Sequence, residues 1–307
     1  MSTPVLVTLA VGGPVPLAHA GAVAAVAEEV GVAAIRLVDA GHTLDPTVVA
    51  AYLAGVHSGL GYVAEVPTTG NAPYNAARRL LSLDRAAGGR IGVALRAGEG
   101  DEVSEATVPD PAATDPVRRW TEYAWVLTRL WESFPRAALL GDQAAGVVID
   151  QDLLRPVDHE GAFYRVAGPL DGPSSVQGRP VIVADLGALD AAAVARSADV
   201  VVVDRERAAG ADTALAEALR RAGRSRSDVA LLGRVRVTAA DPAALAGDLR
   251  AWAGEDQLDG FELVPAGDVE AVVAALRALV PRLTDPAAPP PTLRAAFGLP
   301  EVAAVLS

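Results

Sequence analysis

The chain of 307 residues contains no cysteine and no lysine, so all 26 of its basic residues are arginines. The absence of cysteine excludes disulfides, thiolate catalysis, cysteine-ligated zinc and iron–sulfur clusters. The absence of lysine excludes a Schiff-base lysine and the lysine of a phosphate-binding P-loop. Arginine, histidine, hydroxyl and carboxylate side chains are therefore the groups left to carry chemistry.

Basic stripes and long apolar runs are also missing. The 38 acidic residues give a net charge of −12, and without a basic stripe nucleic acid is not an expected partner. No segment offers the about 18 uninterrupted apolar residues of a membrane-spanning helix. The apolar N-terminus lacks a basic start and is broken by glycines and prolines, so it predicts a strand and turn. We therefore expect a soluble, cytoplasmic protein without membrane contact.

What the chain does contain is abundant Ala, Val and Leu, with 51% hydrophobic and 21% charged residues. This composition suits strands that are buried on both faces. Short apolar runs alternate along the whole chain with longer Ala- and Leu-rich stretches of helical length. The strand candidates are 5–11, 33–39, 61–67, 90–96, 180–185, 199–204, 229–238 and 260–265.

Eight consecutive βα units predict an α/β fold, a closed (β/α)8 TIM barrel, with a doubly wound open sheet as the alternative. We expect a single barrel domain over residues 1–307. Three Asp-Pro pairs, at 45–46, 115–116 and 241–242, predict helix starts because they combine a capping carboxylate with a proline at the first helical position. An insertion over 135–179 and a Pro-rich C-terminal arm over 284–307 interrupt the repeat, and the arm should pack on the barrel or on a second subunit.

Side chains at the C-terminal ends of barrel strands line the working site of this architecture. Carboxylates at such positions are Asp39, Glu65, Asp185 and Asp204, which suit acid/base chemistry or a hard metal ion. The alternative for each is to cap the next helix or to pair with an arginine. His42 follows the second strand and is the histidine best placed for proton transfer. We predict a cleft with His42, Asp39, Glu65 and Asp204 as candidate catalytic residues and assign no metal site.

Several stretches, in the correct order from roughly residue 45 to 300, resemble the luciferase-like flavin monooxygenases. The similar branch contains the large components of nitrilotriacetate monooxygenase and pristinamycin synthase, and the sulfone and long-chain alkane monooxygenases. The stretches are PYNAARRLLSLDRAAGGR at 73–90, the segment 122–133 ending in LWES, 158–170 continued by 177–183, DGFELVP at 259–265 and TLRAAFGL at 292–299.

This resemblance implies a (β/α)8 barrel that uses FMN, with reduced flavin supplied by a separate reductase and O2 oxidising a small organic substrate. It also implies a homodimer or a higher homo-oligomer. The residues at the positions expected to contact the flavin are Thr68, Arg96, Gly98, Asp185 and Gly187.

Five flavin-contact positions depart from the pattern of this branch. Glu65 stands where the branch has threonine at the end of the third strand, and Ala94 stands where it has asparagine. A Thr-Ser pair is replaced by Ala97-Gly98, and an Arg-Tyr pair before the fourth helix by Pro116-Val117. The phosphate-binding loop after the fifth strand reads ADLG at 184–187. These exchanges remove hydroxyl and amide donors and introduce carboxylates.

The departures leave three functional hypotheses open. The first is an FMN-dependent monooxygenase with a rearranged phosphate site, in which Arg96 supplies a new contact. The second is a non-catalytic paralogue that has lost flavin binding and serves as a binding or regulatory subunit. The third is hydrolytic or metal-assisted chemistry on the four carboxylates.

Overall fold

The computed structural model describes residues 3–13, 15–41, 44–98, 110, 112–237, 241–284 and 290–302. Its centre is a closed barrel of eight parallel strands, in which strands adjacent in sequence are adjacent in the sheet. The strands are β1 (Val5–Leu9), β2 (Ala34–Leu37), β3 (Gly61–Pro67), β4 (Ile91–Arg96), β5 (Val181–Leu186), β6 (Val200–Asp204), β7 (Ala230–Val237) and β8 (Gly260–Pro265). Because β8 pairs with β1, the predicted barrel is confirmed and the open sheet is excluded.

A helix follows each strand and covers the outside of the barrel. The helices are α1 (Leu17–Glu29), α2 (Pro46–Val56), α3 (Pro73–Ala86), α4 (Pro116–Glu132), α5 (Ala191–Ser197), α6 (Ala211–Arg221), α7 (Pro242–Asp256) and α8 (Val269–Leu283), with short helical turns at Arg205–Ala208 and Leu293–Ala296. The three predicted Asp-Pro starts are confirmed, since Asp45, Asp115 and Asp241 accept backbone N–H groups at the beginnings of α2, α4 and α7. Within the described ranges, no helix is both long and apolar enough to cross a membrane.

The barrel has an interior core that is separate from the layer between strands and helices. Successive side chains of a strand point to opposite faces, so alternate residues of each strand face the barrel axis. The inward-facing residues of the lower layers are apolar and fully or almost fully buried. They are Leu6, Ala34, Val63, Ala94, Val181, Val183, Val200, Val202, Ala230 and Leu232.

The described part of the C-terminal arm closes the N-terminal end of the barrel. Leu293 and Phe297 belong to the same buried cluster as the inward-facing strand residues. Gly61 and Gly92 make room for this contact, because a Cβ on Gly61 would lie 2.6 Å from a methyl group of Leu293. Residues 290–302 therefore pack on their own barrel, which is one of the two predicted alternatives.

We call Leu293 and Phe297 the plug of the barrel. A buried ion-pair cluster holds the C-terminal arm beside this plug. Asp199 is fully buried and accepts from Arg179 at 2.6 Å, and Arg294 of the arm lies 3.2 Å from the same carboxylate. Burial would raise the pKa of Asp199, but the two guanidinium groups outweigh it and hold that pKa far below its usual range. The charge is thus compensated where no water reaches it.

The predicted insertion over 135–179 forms two small hairpins. Residues Leu139–Asp142 pair with Val147–Ile149, and His159–Glu160 pair with Arg165–Val166. The second hairpin is tied to α4 by Glu122, whose carboxylate accepts the backbone N–H groups of residues 162 to 164 and lies 3.0 Å from His159.

We expect Leu293→Ala to lower the free energy of unfolding by about 3 kcal/mol, because it empties the plug of the barrel and leaves a cavity that the strands cannot fill. Urea denaturation followed by circular dichroism measures this loss. Leu139→Ala is the matched control, since Leu139 is exposed and its truncation should change stability by less than about 0.5 kcal/mol. Equal effects of the two substitutions would contradict the proposed plug.

Candidate functional site

Every barrel strand contributes one polar side chain to the C-terminal end of the barrel. Each of these residues follows an inward-facing residue at a spacing of two, as Arg36 follows Ala34 and Asp185 follows Val183, so the strand period turns them toward the axis. We call this set the mouth ring. Its members are Thr8, Arg36, Glu65, Arg96, Asp185, Asp204, Arg234 and Glu262.

Arg36 lies at the centre of the mouth ring. Its guanidinium donates to both carboxylate oxygens of Asp185, at 2.7 and 3.0 Å, across a gap of two intervening strands. It also lies 3.1 Å from Glu262 and 3.5 Å from Glu65. The Arg36 side chain is only 5% exposed, and Glu262 has no exposed surface. A cation buried to this degree is stable only beside such carboxylates.

Arg234 connects the other half of the mouth ring. Its Nε donates to Glu262 at 2.5 Å, and its guanidinium also contacts Asp185 and lies 3.6 Å from Asp204. The hydroxyl of Thr8 donates to Glu262 at 2.9 Å. Glu262 is therefore satisfied by side chains of three strands, which explains how it tolerates complete burial.

The remaining pair, Arg96 and Glu65, joins β4 to the ring at 3.0 Å.

Burial by itself would raise the pKa of Asp185. The hydrogen bonds and charges of Arg36 and Arg234 reverse that effect and hold the pKa of Asp185 at about 2. Because its pKa is this low, Asp185 is ionised at every pH near neutrality, so it cannot act as a general acid there and is only a weak general base.

A cavity of about 710 Å³ lies over the mouth ring. Every member of the mouth ring except Arg96 lines this cavity, and its outer wall adds Arg205, Glu206 and Arg236. Trp252 also lines it, and Arg205 stacks over the ring of Trp252 at 5.0 Å. Pockets for organic cofactors are mostly apolar with a few polar groups. This lining is more polar than that, and charged side chains of both signs form most of its polar surface.

The structure brings together three of the predicted carboxylates and separates the fourth. Glu65, Asp185 and Asp204 all line the cavity. Asp39 is exposed and accepts the backbone N–H of Gly41 in a turn, apart from the cavity lining. His42 lies outside the described residues. Among the residues that the structure describes, no group of three acidic or histidine side chains is arranged to hold a metal ion.

Two of the residues expected to contact flavin are occupied by protein contacts. Thr68 is fully buried; its hydroxyl accepts the backbone N–H of Gly98 at 3.4 Å and its carbonyl accepts the hydroxyl of Tyr164 at 2.8 Å. A side chain on Gly98 would collide with Thr69. Both residues therefore have a structural reason for their identity.

The loop after β5 does not fit the phosphate of FMN. The carboxylate of Asp190 accepts the backbone N–H of Ala193 at 2.8 Å and so occupies the start of α5. At the other end of the loop, Asp185 is committed to its two arginines. A phosphate bound between these carboxylates would be repelled by both. Gly187 has a φ of 112°, and the exposed Arg207 packs directly over it.

Sequence reasoning missed the residues that organise the mouth ring, namely Arg36, Arg234, Glu262 and Thr8. A signal for three of them was present, because a charged residue inside an otherwise apolar strand has to be explained by a buried partner. Which partner each one meets depends on contacts between non-adjacent strands, and the strand sequences do not encode these contacts locally.

We expect Arg36→Met to destabilise the protein by about 3 kcal/mol at pH 7.5, since it keeps the side-chain volume and removes the cation between buried carboxylates. The loss should shrink when the pH is lowered to 4.5, because carboxylates left without a partner take up protons. Urea denaturation of both proteins at the two pH values tests this.

In the wild-type protein, by contrast, the ion pairs of Asp185 should contribute less to stability as the pH is lowered further. The pKa of Asp185, about 2, lies below the value of about 3.9 in an unfolded chain, so its stabilising contribution is complete above pH 4 and is lost as the pH falls toward 2. Arg205→Met is the control, because Arg205 and Asp248 form an exposed pair that should contribute less than about 1 kcal/mol. A loss from Arg36→Met that did not depend on pH would contradict the ion-pair account.

Comparisons with known proteins identify the family. A family model described as luciferase-like monooxygenase matches residues 2–283. A component of the pristinamycin IIA synthase of Streptomyces pristinaespiralis is 30% identical over 255 residues, which cover 83% of this chain and 77% of that protein. Dibenzothiophene-sulfone monooxygenase of Rhodococcus erythropolis is 34% identical over 142 residues, which cover 46% of this chain but only 31% of that longer relative.

Solved structures agree on the fold. Riboflavin lyase (RcaE), solved with modified FMN and riboflavin, superposes with a TM-score of 0.84 at 17% identity and covers 97% of this chain and 96% of its own. DmoA from Hyphomicrobium sulfonivorans gives a TM-score of 0.81 at 17% identity, with 97% and 92% coverage. The resemblance seen in the sequence motifs is confirmed, and the chain belongs to the luciferase-like monooxygenase family.

Proposed function

We propose that this chain is a member of the family that does not hold FMN in its barrel mouth and serves as a binding or regulatory subunit of a flavin-dependent monooxygenase. The observation that carries the proposal is the mouth ring. It joins seven charged side chains and one hydroxyl at the end of the barrel where the resemblance places the flavin.

The energetics of the ring support this proposal. A flavin ring in the cavity above the mouth ring would lie against charged side chains that are already paired with one another. A flavin ring seated deeper, against the apolar interior, would have to separate Arg36 from Asp185 or Glu262. Removing one partner of a buried ion pair costs about 3–5 kcal/mol, because the remaining charge is left without compensation. The free energy gained from apolar contacts with the flavin would have to exceed this cost before FMN bound at all.

The phosphate end gives a second, separate argument. Two carboxylates, Asp185 and Asp190, flank the loop after β5, and each already accepts protein N–H groups. Neither a free hydroxyl nor an amide side chain occurs between Asp185 and Asp190. The loop therefore has no neutral side-chain donor to orient a phosphate.

The name of one relative is consistent with a subunit role. The Streptomyces pristinaespiralis relative is, by its name, one of the subunits of pristinamycin IIA synthase, and its similarity extends over 83% of this chain. In the proposed arrangement, another chain holds the flavin and this barrel binds to that chain.

A second candidate function is favoured by two arginines and the cavity. In it the chain is itself an FMN-dependent monooxygenase that oxidises a small organic substrate with O2, with reduced flavin supplied by a reductase. Arg207 over Gly187 and the half-exposed Arg96 are cations near the expected phosphate position. The cavity of about 710 Å³ is large enough for a cofactor-sized molecule.

Equilibrium dialysis against FMN and against riboflavin separates the two candidates. We expect the purified chain to retain neither compound at a large molar excess over protein, because the mouth ring blocks the ring system and the Asp185–Asp190 loop repels the phosphate. The same measurement with chemically reduced FMN under anaerobic conditions should also show no binding.

Arginine variants make the test specific. Micromolar binding of FMN but not riboflavin, weakened at least tenfold by Arg207→Ala and unchanged by Arg220→Ala, would establish the second candidate and reject the first. Arg220 is the control because it is an exposed arginine at the end of α6, away from the barrel mouth.

A further inference from the structure

A groove on the outside of the barrel lies between α4, α5 and the second hairpin of the insertion. Its volume is about 600 Å³, which is within the range of small-molecule sites. Val117, Thr121 and Trp125 recur at every fourth position of α4 and form one wall, and Ala192 and Ala193 of α5 form part of the other. Among the described residues, none lines both this groove and the cavity over the mouth ring. We call it the α4–α5 groove.

Trp125 gives the α4–α5 groove an exposed aromatic surface. It is 37% exposed, whereas the other three tryptophans of the chain are at most 3% exposed. The ring centres of Trp125 and His159 lie 5.1 Å apart, and the guanidinium carbon of Arg129 lies 5.5 Å from the centre of the Trp125 ring. These contacts hold the indole in place before any ligand binds, which lowers the entropic cost of binding.

The two carboxylates of the α4–α5 groove are engaged by protein N–H groups. Glu122 accepts the backbone N–H groups of residues 162 to 164 and lies 3.0 Å from His159. Asp190 accepts the backbone N–H of Ala193 at 2.8 Å. These carboxylates therefore stabilise the hairpin and the start of α5, and they are poorly placed to bind a cationic ligand.

The two arginines of the α4–α5 groove, Arg118 and Arg196, have no such partners. Both residues are exposed, and within the part of the chain that the structure describes neither guanidinium makes a hydrogen bond or an ion pair. By contrast, Arg36, Arg96 and Arg234 of the mouth ring are all paired with carboxylates. The charge that remains free in the groove is thus positive, although the chain carries a net charge of −12.

We propose that the α4–α5 groove binds a small aromatic acid, a monoanion with one or two fused rings. Its ring would lie against Trp125, and its carboxylate would accept from Arg118 and Arg196, since a guanidinium binds a carboxylate through paired N–H groups. A monoanion fits better than a dianion, because Glu122 and Asp190 lie in the same groove and repel additional negative charge.

This binding site goes beyond the proposed function and does not depend on it, because the α4–α5 groove lies outside the barrel and the mouth ring lies at its end. The two sites also use different arginines. If FMN binds at the barrel mouth, Arg207→Ala should weaken FMN binding and leave binding of the aromatic acid unchanged. Substitution of Arg118 and Arg196 should have the reverse effect, so a failure of one proposal is distinguishable from a failure of the other.

Isothermal titration calorimetry of the purified full chain with matched probes tests the proposal. The probes are 2-naphthoate, decalin-2-carboxylate, which has the same carbon skeleton without aromatic rings, and 2-naphthamide, which has the same rings without the charge. We expect 2-naphthoate to bind with a dissociation constant below about 1 mM. Decalin-2-carboxylate should bind at least about threefold more weakly because it loses stacking on Trp125. The amide should bind at least about tenfold more weakly because it loses the ion pair.

Variants assign the binding to the α4–α5 groove. We expect Arg118→Met combined with Arg196→Met to raise the dissociation constant of 2-naphthoate at least about tenfold. Arg136→Met combined with Arg220→Met is the matched control, because these two exposed arginines lie outside the groove lining and their loss changes the net charge equally. It should leave binding unchanged. Trp125→Ala should weaken binding more than Trp125→Phe, which retains an aromatic ring.

Tryptophan fluorescence gives a measurement that needs no ligand. Because Trp125 is the exposed tryptophan, ionic quenchers in solution act mainly on it. Relative to their effects on free N-acetyltryptophanamide, iodide should quench the protein more strongly than caesium, since Arg118 and Arg196 attract anions. The combined substitution of these two arginines by methionine should remove the preference for iodide.

Several results would overturn the proposal. They are no binding of 2-naphthoate at about 5 mM, equal binding of 2-naphthamide, an equal loss in the control pair of variants, and a preference for caesium in the wild type. Protection of Trp125 from iodide only after another protein is added would assign the groove to a protein partner. Circular dichroism confirms that each variant is folded, since exposed substitutions change stability by less than about 0.5 kcal/mol.

Discussion

The guanidinium of Arg36 is almost completely buried inside a closed barrel, and this burial dictates what surrounds it. Carboxylates from β3, β5 and β8 approach it, and Arg234 balances the excess of negative charge. Arg36, Asp185, Arg234 and Glu262 compensate one another, so the exchange of any one of these four removes a partner from a charge that is buried or partly buried. The mouth of the barrel is consequently specified as one unit rather than as eight separate positions.

The interior of the barrel is filled differently at its two ends. At the N-terminal end the interior is filled with apolar side chains, and Leu293 and Phe297 of the C-terminal arm complete that core. At the C-terminal end the interior is filled with ion pairs. An apolar end contributes stability through burial, whereas an ionic end contributes geometry, because ion pairs hold strands in register at little net gain.

This division explains why family membership and individual function have to be argued separately. Most of the motifs that carry the resemblance lie in helices, in the hairpin tied to Glu122 and in the arm, where they maintain the barrel, although the motif at 259–265 covers β8 and includes Glu262 of the mouth ring. The positions that would hold a cofactor lie at strand ends, and there the side chains satisfy one another. A barrel can keep its architecture while its mouth changes, since the strands need only the inward apolar layers to close.

The sequence by itself determined the eight βα units, the helix starts at the three Asp-Pro pairs and the family, because these depend on local period, capping and ordered motifs. It also placed Glu65, Asp185 and Asp204 at strand ends. The tertiary structure alone decided that Arg36 and Arg234 join these carboxylates, that Asp39 lies apart, and that Asp190 occupies the start of α5. Contacts in the mouth ring link residues far apart in the chain, 226 positions for Arg36 and Glu262 and 254 for Thr8 and Glu262, and they exist only once the barrel has closed.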